Sequence, residues 1–369
     1  MSAGLVFGFF QAHRLADWFF KRGMHTAQEA HDLESELFFR YGRATYLLGF
    51  NRDWDVFFDD LEKGLQLSNK LQRQHEQAIC RMLRAAGCLF RGDFAASQRE
   101  TKLFLDSAYE TENRQHQCWG LFLEATLQTF QGAYQEATQS TQKLLTLSKE
   151  IDDSFSVMLS SALHAFALAR TANTSATQEQ ARTQLCNTAQ RLAQQKAPVW
   201  SVNLAFFLVA QGYLMLRVRR LQDAHTLDRE LRRFALQFRL YLWLVPNGRA
   251  LYLGFEGAWL WSRGATKKAL SRFRKAYLAA QQLGQAHWAT QWQNCFEQGL
   301  SQRWISAFWP MPQELSPQER AMAQEKAIEQ HAEHAPFVIS GFSSSYNAFD
   351  PTYTMDETEE SVKEHSKQT

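Results

Sequence analysis

Gly92-Asp93-Phe94 returns forty residues later as Gly132-Ala133-Tyr134, and forty residues before it Asp53-Trp54 holds the same place. Each time a glycine or turn residue is followed by an aromatic, with an amphipathic helix on either side. A fixed period of about 40 residues marks a stacked helical array, in which each unit buries its apolar face against its neighbours. The period therefore dictates an all-α solenoid and argues against a catalytic pocket. It does not name a partner.

The pattern predicts an N-terminal helical segment over 1–30, read as a truncated repeat, followed by six helix pairs. The first pair spans 31–71 and turns near Asn51-Arg52-Asp53; the second spans 74–110 and turns at Gly92-Asp93. The third, 114–150, turns at Gly132-Ala133, and the fourth, 153–195, has a longer polar turn from Thr171 to Ser175. The fifth, 198–239, opens with Pro198, suited to a first helical turn, and turns near Arg219-Arg220. The sixth, 247–284, turns at Gly264-Ala265-Thr266, where Thr266 is expected to cap the next helix. On that helix Ala269, Phe273, Ala276 and Ala280 share one face, the small residues allowing close approach and the aromatic filling the gap. A last helix over 286–306 is expected to cap the stack, so the array covers 31–309. Pro310, Pro312 and Pro317 then break helices, although a short charged helix fits 317–332. Residues 310–369 read as a mostly disordered polar tail with too little apolar content to fold alone.

The composition supports helices with a core. Hydrophobic residues make up 45% of the 369, with 28 Phe and 11 Trp, and Pro is scarce at 7. Lys+Arg 40 against Asp+Glu 38 gives a net charge of +2, which makes no electrostatic case for nucleic acid or a membrane as partner. The cysteines Cys80, Cys88, Cys118, Cys186 and Cys295 are odd in number, form no C-x-x-C pair and lie within apolar helical patterns. They read as reduced core residues of a cytoplasmic protein. The apolar stretch Leu5 to Phe10 is too short to span a membrane at ~20 residues and lacks a basic leader. It is expected to belong to a helix continuing from a longer chain, and to promote self-association or assembly through that end.

The turn Gly132-Ala133-Tyr134-Gln135-Glu136-Ala137, and Gly264 to Ala269 followed by Phe273 and Ala276, resemble a tetratricopeptide repeat (TPR). With Gln115-His116-Gln117-Cys118-Trp119-Gly120, and Gly248-Arg249-Ala250-Leu251 followed by Gly264 and Lys268-Ala269-Leu270, the chain resembles the C-terminal repeat region of large P-loop ATPases, often attached to class III adenylate/guanylate cyclase domains. The resemblance covers about 30–300 and implies a TPR-like right-handed α-solenoid, and with it a stand-alone regulatory arm of a signalling ATPase/cyclase system. The chain departs from that family in having no G-x-x-x-x-G-K-[ST] and no α/β segment for a cyclase core, so no catalytic residue carries over.

Candidate chemistry is thin. No nucleophile, base and orienting group converge, so the chain reads as a non-enzyme without cofactor. His331 and His334, flanking Glu333, offer too few ligands for a closed metal site. Trp259, Trp261, Trp288, Trp292, Trp304 and Trp309 read as core and capping surface rather than a ligand pocket. Arg217, Arg219, Arg220, Arg229, Arg232, Arg233 and Arg239 are a candidate phosphate-binding run, weighed against a solvated face laced with ion pairs through Asp223, Asp228 and Glu230. The remaining pattern is a polar stripe on first helices: Gln77, Arg84 and Arg91; Gln117, Glu124 and Gln131; Arg249, Glu256 and Arg263. Seven residues are nearly two turns, so each trio shares a face. The stripe is expected to line the concave groove and hold a protein or peptide segment, against the alternative of an ordinary solvated face. It runs against the standard repeat, which places an apolar residue where Arg84, Glu124 and Glu256 fall. The leading functional expectation is a protein–protein interaction scaffold or adaptor. The alternative is a ligand-sensing domain that binds a small molecule or peptide within the array.

Overall fold

The computed structural model describes residues 12–50, 53–172, 174–195, 199–219 and 224–297. The chain divides into two compact units, Met1–Gln313 and Glu314–Thr369, and every described residue lies in the first. The apolar start Leu5 to Phe10, the turn residues Asn51 and Arg52, Pro198, Arg220, Asp223, the closing helix beyond 297, Trp304, Trp309, His331, His334 and the tail over 310–369 fall outside the described residues.

The described residues are all-α. Helix α1 is His13–Glu29. Then come the pairs α2 (Leu33–Phe50) and α3 (Trp54–Lys70), α4 (Gln74–Arg91) and α5 (Phe94–Glu110), and α6 (Arg114–Phe130) and α7 (Tyr134–Glu150). They are followed by α8 (Ser154–Thr171) and α9 (Ser175–Gln194), α10 (Trp200–Arg219) and α11 (Ala224–Leu244), and α12 (Arg249–Ser262) and α13 (Thr266–Gln282). Helix α14 (Ala286–Glu297) comes last. Consecutive helices pack on one another, and first helices also touch the first helices of neighbouring pairs, which makes the array a solenoid.

The forty-residue period is written into the links. Gly92 and Gly132 end first helices with φ of 85° and 78°, a left-handed conformation that glycine adopts without steric cost. The links between pairs also turn left-handed, at His31, Gln72, Glu112 and Asp152, none of them glycine. Side-chain caps recur at the same spacing: Asp53 and Asp93 accept the amides of Val56 and Ala96, and Asn113 and Asp153 accept those of His116 and Phe155. Thr266 is not a cap. Ala265 holds that position without a side-chain bond, and Thr266 is already the first residue of α13.

The second half is less regular. Helix α11 runs to Leu244, past the expected end at 239, because the stop signal is Pro246, which opens a 3-10 turn over Pro246–Gly248. Helix α10 is the one described helix long and apolar enough to cross a membrane, yet 89% of that stretch is buried inside the protein, as in a core helix.

The array also closes on itself. Asn247 donates to Leu48 O at 2.9 Å, and Gln285 donates to Asn247 O at 2.9 Å. Trp54 Nε1 donates to Leu283 O at 2.7 Å. His287 meets the Phe94 ring edge-on at 4.7 Å, and Trp288 meets Phe130 and Phe207 at 5.3 and 5.4 Å. The last pair and α14 thus dock on the turns of the first three pairs. Trp288 and Trp292 are buried core residues, and Phe273 stacks on Trp292.

Candidate functional site: an apolar cavity on the inner side of the array

Most of the polar stripe contacts the second helices. Arg84 reaches Glu62 on α3 at 2.9 Å and Glu100 on α5 at 3.4 Å, so it bridges the two second helices that flank its own. Gln77 donates to Asn69 and Gln117 to the carbonyl of Ala108, both on preceding second helices. Glu124 accepts from Ser140 on α7 at 2.8 Å. Glu256 accepts from Tyr252 at 2.9 Å and pairs with Arg272 on α13 at 3.3 Å. Arg91 lies over the Phe58 ring, and Arg263 over Trp259 within reach of Asp228. Gln131 is half-buried at the end of α6, and Arg249 is exposed at the start of α12. Gln77, Arg84, Gln117, Glu124 and Glu256 turn into the seam with the second helices, whereas Arg91, Arg249 and Arg263 are exposed. The physical reason is rotational. Met82 and Phe122 sit two residues before Arg84 and Glu124, about 160° round the helix, and they take the inner side.

That inner side holds a half-enclosed cavity of ≈ 220 Å³. It is lined by Thr45, Gly49 and Phe50 of α2, Met82 and Leu83 of α4, and Trp119, Phe122 and Leu123 of α6. Phe155 and Leu159 of α8, Val199, Trp200 and Ser201 at the start of α10, and Val245 complete it. Gly49, Phe50, Leu83, Phe122, Leu123, Leu159, Trp200 and Val245 are buried, whereas Thr45, Met82, Trp119, Phe155 and Val199 are half-exposed and mark the open side. No lining residue carries a charge. The Thr45 hydroxyl donates to Tyr41 O within its own helix. The start of α10 is pinned by Tyr241, whose hydroxyl accepts from Val199 N and donates to Val199 O, both at 2.8 Å.

Gly49 leaves the cavity room. A Cβ at this position would meet only Val245 Cγ1, at 3.9 Å. By contrast, Cβ atoms at Gly87 or Gly120 would run into Phe57 or Leu105.

One turn before Trp119, His116 is buried and stacks on His75 at 4.9 Å. Burial, with His75 beside it, pushes its pKa down to about 4, so it is neutral at pH 7. Burial pushes the thiols of Cys80, Cys88 and Cys295 up to about 12, which keeps them protonated. Among the described residues no group of His, Cys, Asp or Glu could hold a metal ion. The sharpest charge cluster is structural: fully buried Asp60 of α3 accepts from Arg40 at 3.0 Å and from Arg43 at 2.5 Å, tying α2 to α3.

No protein-family model matches the chain, and no curated protein matches it.

Proposed function

We propose that the chain is a non-enzymatic regulatory module that takes a small, uncharged, largely apolar molecule in its inner cavity. The observation that supports this reading most is the lining itself: a pre-formed space of ≈ 220 Å³ without a charged group, walled by five first helices. Such a space favours apolar guests, because it gains nothing from holding ordered water. A guest touching five pairs at once would bias how they stack, and a partner could read that change. The resemblance to repeat regions of signalling ATPases and cyclases fits a module of this kind.

The test uses the neutral fluorophore N-phenyl-1-naphthylamine and Gly49→Leu. The wild type is expected to bind one probe saturably. Gly49→Leu is expected to fill the space, abolish binding and raise Tm. Undiminished binding by folded Gly49→Leu would overturn the reading.

A second reading, an adaptor that assembles through its N-terminal end, draws on Leu15 and Trp18. These lie one turn apart on α1, 43% and 56% exposed. Concentration-dependent sedimentation that Trp18→Glu abolishes would support it; a monomer at all concentrations would remove it.

A further inference from the structure

The candidate phosphate-binding arginines separate into two sets in the structure. Arg217 is held by Asp228 at 2.7 Å and by Ser262 O at 2.8 Å, and it stitches α10 to α11 and α12. Arg229, Arg232, Arg233 and Arg239 are exposed on α11, and none makes an ion pair with a described residue. The acids near them are engaged elsewhere: Asp228 with Arg217 and Arg263, Glu230 with Arg182. On the same face stand Leu236, Leu240 and Trp243, exposed by 57%, 63% and 57%. At 100° per residue all seven fall within about 120° of arc, and from Arg229 to Trp243 they run about 21 Å along the helix.

From this we infer that the outer face of α11 docks on the surface of an anionic lipid bilayer. Four exposed guanidinium groups, none in an ion pair among the described residues, stand beside two leucines and a tryptophan and match a layer of phosphates over hydrocarbon. Arginine binds phosphate oxygens through its fork of donors, tryptophan favours the headgroup boundary, and leucine inserts. The shape favours a bilayer over an acidic peptide. Leu236, Leu240 and Trp243 are each exposed by more than half, which suits contact with a flat surface, whereas a peptide is held best in a groove that encloses its side chains. The face is also distinct from the inner cavity, since no cavity-lining residue lies on α11 itself.

Flotation of the full chain tests this, with vesicles of phosphatidylcholine alone and with about 30% phosphatidylserine. The wild type is expected to bind the anionic vesicles about tenfold better, with binding weakened by salt. Arg229→Glu/Arg232→Glu/Arg233→Glu and Leu236→Ser/Leu240→Ser/Trp243→Ser are each expected to lower that binding about tenfold. Should the charge reversal perturb folding, judged by Tm, the milder Arg232→Gln/Arg233→Gln takes its place and is expected to give a smaller loss. Equal binding to both vesicles, or full binding by a folded variant, overturns the inference. So does binding of polyglutamate without binding of vesicles, which assigns the face to an acidic protein.

Discussion

The stretch from α2 to α7 and the stretch from α10 to α14 are built from similar helices by different rules. In the first, helices of 17 or 18 residues follow one another, left-handed links fall at Gln72, Glu112 and Asp152, and each helix packs on its sequence neighbours. In the second, helices run from 12 to 21 residues, a 3-10 turn interrupts the order, and decisive contacts reach back some 200 residues. Repetition specifies how one pair stacks on the next. Closing the stack takes single residues that occur once, such as Trp54, Asn247 and Trp288.

If that contrast is right, the two stretches answer differently to mutation. Trp288→Ala removes a buried ring that touches Phe130, Phe207 and Trp292. It is expected to cost about 3–5 kcal/mol in denaturant unfolding. Asn247→Ala leaves the Leu48 carbonyl and the amide of Asn203 short of a buried partner, for a loss of about 2 kcal/mol. A loss under half a kcal/mol from either would mean that closure contributes little.

In the regular stretch, acid is the sharper probe. The pKa of His116 lies near 4 when folded, against 6.5 as its ordinary value. Between those values the unfolded chain binds a proton that the folded chain lacks, so stability falls as pH falls from 6.5 towards 4. His116→Phe should remove that component, roughly 1 kcal/mol, from the pH profile of Tm. The smallest effect carries the opposite sign. Glu112 sits at φ 50°, where glycine is relaxed and glutamate is not. Glu112→Gly is therefore expected to be neutral or stabilising by up to ~1 kcal/mol, unlike almost any other change to glycine.

The repeating features of the array were largely legible in the sequence. The Gly-x-aromatic spacing located the turns, and Ala269, Phe273, Ala276 and Ala280 are all buried as their shared face required. The links at Gln72 and Glu112 were hidden because a left-handed turn there carries no glycine. Heptad spacing put Arg84 and Arg91 on one face, but spacing is blind to what a side chain meets, and Arg84 meets Glu62 and Glu100 of the flanking second helices. The cavity was equally hidden, since Phe122, Leu159 and Trp200 carry the same signal as core residues. A net charge of +2 averaged away the exposed arginines of α11.

Hydrogen exchange on the wild type and on Trp54→Phe tests closure most directly. The substitution keeps an aromatic ring and removes one hydrogen bond, to a carbonyl 229 residues away. Closure predicts faster exchange at amides from Leu283 through Trp292 as well as in α3. Changes confined to the neighbourhood of residue 54 would contradict it and leave an open array.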